Sequence, residues 1–116
     1  MKRNSPRHRR LALDAARGAE EILPLFENAC PEDTRPRDAI EAIRAWAQGK
    51  RELGMALVRK LSLDAHAAAR EAPTDAARFA ARAAGHAVAT WHVPSHADGV
   101  PLYARKAISA HDRKST

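Results

Sequence analysis

The chain's 116 residues suffice for one domain with a core of its own. They are 45% hydrophobic but only 4% aromatic, which excludes disorder and favours an aliphatic, alanine-lined core of several packed helices over a small enzyme with a deep pocket. The net charge of +6 invites a nucleic-acid partner, yet five basic side chains and no acidic one lie in residues 1–10, Arg113 and Lys114 lie at the other end, and the remaining charges nearly balance.

The first helix is predicted from about Arg10 to Ala29, with Leu11, Ala15, Ile22, Leu25 and Phe26 turned inward. Pro24 lies inside it and should kink or divide it, since proline removes a backbone donor and crowds the preceding turn. A linker over residues 30–34 follows, with Cys30 packed at the helix end. Asp33 or Thr34 can cap a second helix, and Pro36 suits its first turn, where a missing N–H costs nothing. Ile40, Ile43 and Ala47 share one side of that helix, which stops at Gly49.

The third helix is predicted from about Lys50 to Glu71, on the spacing of Leu53, Leu57, Leu61, Ala65 and Ala68, with Val58 widening the stripe. Pro73 ends it. A fourth spans about Asp75 to His92, with Phe79, Ala83, Ala87 and Trp91 in register, and Pro94 closes it. The loop over residues 94–99 leads to a short fifth helix, roughly Val100 to Ala110. Short connections favour antiparallel neighbours. The predicted class is therefore all-α: a bundle of about five helices, the alanine-rich third and fourth forming an antiparallel pair. The predicted organisation is a basic, flexible arm over residues 1–10, one helical domain over 11–110 and a short polar tail over 111–116.

One cysteine, Cys30, excludes an internal disulfide and any multi-cysteine zinc site. No apolar run approaches a membrane span, and the basic start runs into amphipathic sequence rather than a signal-peptide core, so a cytoplasmic protein without membrane contact is expected.

Polar side chains set among alanines must face water or find a defined partner. On the third helix Arg59, Ser62, His66 and Arg70 line one strip; on the fourth Arg78, Arg82, His86 and Thr90 line another. Packed antiparallel, the two strips would border a groove holding His66 and His86, suited to an anionic group or an acidic protein surface. The blander possibility is a solvated face with histidines bridging helices. His92 and His96 have the spacing of a metal pair, but Pro94 between them spoils the geometry, and a third ligand could come only from His86 by folding of the loop or from Asp98 by chance placement. No metal and no cofactor is expected, and His92 suits the negative pole of a helix end.

Arg35, Arg37, Asp33 and Asp38 make a charged corner at the second helix start, either a recognition site or a local ion-pair cluster. Trp46 and Trp91 read as core or interface anchors. Tyr103 and Lys106 could form one polar edge of the last helix. Ser62, Ser95 and Ser109 lack glycine elbows, and no glycine-rich phosphate loop exists, so catalysis is the weakest hypothesis.

Several segments together resemble the small all-helical immunity proteins of bacterial polymorphic toxin systems, relatives of which are also labelled as an exonuclease component. They are residues 23–27 (Leu-Pro-Leu-Phe-Glu), the arginine-proline corner from Pro31 to Ala42, Ala45-Trp46-Ala47 with Gly49, Ala65-His66 through Arg70, Ala81-Arg82 through Thr90, His92-Val93, His96-Ala97, Tyr103-Ala104 and Lys106-Ala107. The likeness runs from about residue 11 to 110. Trp91 stands where the pattern leads one to expect a small residue. The resemblance implies a protein that binds a toxin and blocks it, with no defined active site.

The expected function is thus a cytoplasmic protein-interaction module whose partner is a cognate toxin, with an acidic surface on that partner and a homodimer both compatible. The candidate surface is the groove of His66, Arg70, Arg82 and His86, with His92, His96, Tyr103 and Lys106 nearby and Arg35, Arg37 and Asp38 flanking. Two alternatives stand beside it. One is a small-ligand or metal-binding domain using His66, His86, His92 and His96; the other is non-specific nucleic-acid binding through the basic arm.

Overall fold

A computed structural model describes residues 2–115. Five α-helices follow in chain order: α1 (Pro6–Glu27), α2 (Arg35–Ala47), α3 (Met55–Glu71), α4 (Asp75–Ala89) and α5 (Gly99–Ser115), with a 3-10 turn at Pro94–Asp98 before the last. No strand occurs among the described residues. The all-α bundle expected from the periodicity is what the chain forms.

The organising element is α4. Ala76, Ala77, Ala80, Ala81, Ala83, Ala84, Gly85, Ala87 and Val88 are all buried, so this helix is covered on nearly every side. It touches α1, α2, α3, α5 and the 3-10 turn. Only a helix of very small side chains can be packed against so many neighbours at once, because interaxial distance is set by the residues at each contact. The bulk missing from α4 is supplied around it by Ile22, Leu23, Phe26, Ile40, Ile43 and Trp46 of α1 and α2. Cross-contacts fix the directions. Ser62 reaches Gly85 and His66 reaches Arg82, so α3 and α4 run antiparallel; His86 meets Tyr103 and Phe79 meets Lys106, so α4 and α5 do too.

Element boundaries depart from expectation at several points. α1 begins at Pro6 rather than Arg10, because Ser5 caps it by accepting from the His8 N–H at 3.1 Å and Pro6 fits the first turn. Residues 6–10 are therefore helical, and Met1 of the expected arm lies outside the described residues. Pro24 does not divide α1. It sits in the last turn, where only one intrahelical bond is forfeited, and its carbonyl still accepts from Asn28 at 2.9 Å.

α3 starts at Met55, five residues later than Lys50. Gly49 adopts φ +74°, its N–H donates to Trp46 at 3.0 Å and Lys50 N–H donates to Ala45 at 2.8 Å, a paired termination that turns the chain away from the helix axis. Leu53 packs on the core from the irregular stretch that follows. α4 stops at Ala89, and Trp91 and His92 lie in the turn beyond it. α5 continues past Ala110 to Ser115, through most of the segment expected as a tail; Thr116 lies outside the described residues.

Both tryptophans are internal, Trp46 1% and Trp91 6% exposed, so of the two expected roles the structure gives them the core one. Each is covered by a cation from the N-terminal segment: the Arg3 guanidinium lies 4.1 Å from the Trp91 ring centre and that of Arg9 4.6 Å from Trp46. Arg9 also donates to the Trp46 carbonyl. His8 is buried edge-on against Trp46, at 5.0 Å, and its Nε2 is 2.7 Å from the Thr90 carbonyl. A carbonyl only accepts, so the proton is on Nε2. Arg3, His8 and Arg9 are therefore part of a structural strap over the two tryptophans.

Candidate functional site

The antiparallel register of α3 and α4 does bring their polar strips together. The Arg82 guanidinium donates to His66 Nδ1 at 2.8 Å. Because arginine cannot accept, that nitrogen must be unprotonated, and the neutral ring carries its proton on Nε2. His66 meets His86 edge-on, the ring centres 5.6 Å apart at 89°. His86 in turn lies 5.4 Å from His96 and 5.2 Å from Tyr103, with the two Nδ1 atoms of His86 and His96 3.4 Å apart. Tyr103 continues to Phe79 at 6.1 Å, and the Lys106 ammonium lies over both of those rings, at 5.5 and 5.6 Å. The result is a continuous seam of rings from α3 across α4 to α5, with Arg82 at one end and Lys106 at the other.

Two glycines make the seam possible. A Cβ on Gly85 would stand 2.6 Å from His66 Nε2, and one on Gly99 would stand 2.5 Å from His86 Nδ1. The imidazoles occupy the space of the absent methyl groups. Neither glycine stood out in the sequence as part of a site. A signal existed for Gly85: a glycine inside an alanine helix costs about 1 kcal/mol, so it calls for a reason such as close approach.

Burial and nearby cations keep His66 and His86 neutral. Burial first, then the positive charge of Arg82 and the neighbouring His86, Arg70 and His96, push His66 down to about 4. His86 is lowered by burial, and next by His96 and Arg82. Near neutral pH these rings act as polar packing units rather than as cations. Ser62 donates to the Gly85 carbonyl at 3.2 Å and is not poised beside an imidazole as a nucleophile. No group of three histidine, cysteine or acidic side chains among the described residues has the geometry to hold a metal ion.

His92 stays outside the seam. It is exposed in the turn after α4 and lines a separate groove with Met55, Val58, Arg59, Ser62 and Leu63. Arg70 is exposed at the edge of the seam and reaches His66 through its charge.

The arginine-proline corner forms a different structure. Arg35 grips Asp33 through two bonds of 2.9 and 2.7 Å and reaches Glu71 at the end of α3 at 2.9 Å. Arg37 grips Glu27 of α1 through bonds of 2.7 and 2.6 Å, with Glu41 3.6 Å away. These bonds, above all, hold the Asp33, Glu27 and Glu71 carboxyls below the usual carboxylate range. Asp38 accepts from the Thr34 hydroxyl at 3.1 Å, and Thr34 makes no side-chain cap of its own. Both guanidinium forks are thus occupied by the chain's own carboxylates, tying α2 to α1 and α3. The Asp33 pair matches the ion-pair corner expected from the sequence, whereas Glu27 and Glu71 come from other helices and spacing does not reveal them.

Against known proteins, the family described as Imm-5 like putative immunity protein matches the chain over residues 2–116. No curated protein and no solved structure is significantly similar to it. No helix among the described residues is long and apolar enough to cross a membrane.

Proposed function

We propose, for a chain that belongs to the Imm-5 like putative immunity protein family, that it works as a cytoplasmic module that binds a cognate toxin and neutralises it by covering its surface. The observation that carries this reading is the family match across essentially the whole chain. The internal chemistry agrees with it. His66 and His86 are held neutral, His66 accepts from Arg82, and the Ser62 and Thr90 hydroxyls are committed to the Gly85 and His86 carbonyls. What the molecule offers a partner is a shaped, rigid and net-positive exterior, which favours a toxin with an acidic docking surface.

The test is growth. Cells expressing the toxin encoded beside this chain should die without the chain and grow when it is restored. Equal survival with and without it refutes the immunity reading.

A second reading takes the contact among His66, His86 and His96 as a small-ligand or metal site. Against it, the His66 Nδ1 lone pair is already used by Arg82. Elemental analysis of protein purified without a histidine tag discriminates: stoichiometric metal that disappears in a His66→Ala/His86→Ala variant would establish that site.

A further inference from the structure

Among the described residues, three large apolar side chains are exposed: Leu63, Leu102 and Ile108. Leu63 stands in the α3 groove beside His92. The other two stand on the outer face of α5, 42% and 50% exposed. Arg105 lies between them and lines two adjoining grooves. One, of about 400 Å³, runs between α5 and Phe79 of α4 and includes Leu102 and Lys106; the other, of about 490 Å³, includes Ile108 and Asp112. Leu102 and Ile108 flank Arg105, so the two grooves join into one partly apolar patch on the outer face of α5.

The charge of this face selects the kind of occupant. Arg35, Arg37, Arg44 and Arg78 are each paired with a carboxylate of the chain itself. Arg105 makes no ion pair among the described residues, and Lys106 lies against Phe79 and Tyr103 rather than against an acid. Among the described residues, Asp112 is the one acidic side chain lining either groove. The face is therefore apolar at its anchors and cationic between them.

We infer that the outer face of α5, with Phe79, is the toxin-docking surface, and that it takes an acidic segment of the toxin carrying apolar side chains into the Leu102 and Ile108 positions. This rests on the immunity reading and adds to it the residues and the partner chemistry. Its mode is hot-spot packing of two apolar anchors, with Arg105 and Lys106 supplying register and salt sensitivity. The surface is continuous with the histidine seam through Tyr103 and Lys106, so the seam serves to hold α5 rigidly on α4.

The test uses the full chain and the toxin against which it protects in the growth assay, made inactive by mutation. Leu102→Glu/Ile108→Glu should weaken binding at least 100-fold, and Arg105→Glu about 10-fold with a shallower salt dependence. Both should leave the thermal midpoint within a few degrees of the native chain, since the side chains are exposed. Arg51→Glu, exposed in the stretch between α2 and α3, should bind as the native chain does.

Native-like toxin binding by the α5 variants overturns the inference while leaving the immunity reading intact. Failure of the native chain to bind any toxin removes both. A native dimer that Leu102→Glu/Ile108→Glu converts to monomer assigns the face to a second copy and overturns the inference. So does retention of duplex DNA by the native chain that the same variants abolish.

Discussion

Substituting Gly85 by alanine tests the packing at the centre of the molecule. The new Cβ would stand 2.6, 2.8 and 2.9 Å from Nε2, Cε1 and Cδ2 of His66, so the ring must retreat by roughly 0.7–1 Å to reach ordinary contact. It is not free to do so, because Arg82 holds its Nδ1 at 2.8 Å and His86 stands against it. Overpacking of this kind costs about 1–3 kcal/mol, whereas replacing a mid-helix glycine by alanine gains about 0.5–1 kcal/mol of propensity. Gly85→Ala should therefore destabilise by about 0.5–2 kcal/mol, a fall of several degrees in the thermal midpoint. In a His66→Ala background the clash is gone and the same substitution should stabilise by about 0.5–1 kcal/mol. Urea unfolding of the four proteins gives the coupling as a double-mutant cycle, expected at about 1–3 kcal/mol. If Gly85→Ala stabilises the native chain, or changes stability equally in both backgrounds, His66 does not occupy the glycine's place.

Because His66 titrates at about 4 when folded and at 6.5 when unfolded, the unfolded state binds the extra proton first; stability should be full above pH 6.5 and fall between 6.5 and 4. Solvent screening reduces the full linkage of about 3 kcal/mol to about 1–2 kcal/mol, and His66→Ala/His86→Ala should flatten the urea midpoint across that window. Arg37→Ala and Glu27→Ala should each cost about 0.5–1 kcal/mol and be non-additive, since one paired fork joins α1 to α2 at a partly exposed site; additive losses would remove that tie. Trp46→Ala should cost about 3–5 kcal/mol by leaving a cavity beneath His8, a loss readable in chemical unfolding, and a near-neutral effect would contradict its place in the core.

The helices were legible because alanine and leucine spacing on α3 and α4 leaves little alternative; the structure adds a cap on α4, Thr74 accepting from the Ala77 N–H at 3.1 Å. Boundaries were less legible where two signals compete. Pro24 is a helix breaker by type, but its position one turn from the end makes the loss small. Gly49 marked the end of α2 correctly, yet the turn it makes also delays α3 to Met55. In the seam, His66 and His86 follow from helical spacing once the pair is antiparallel. His96 does not, because its approach depends on the 3-10 turn at Pro94–Asp98 folding back over α4. His92, four residues from His96, looks like its partner in sequence and faces elsewhere. Arg35 and Arg37 left a recognition site and a local ion-pair cluster both open; the Asp33 pair is local, whereas Glu27 and Glu71 are brought in by tertiary packing.

The most direct measurement is to titrate the purified toxin with the purified chain and follow toxin activity and complex formation together. Steric neutralisation predicts that activity falls to the background as a stoichiometric complex forms, and that Leu102→Glu/Ile108→Glu leaves the toxin active at the same ratio. A complex in which the toxin stays fully active, or no complex at all, would contradict it.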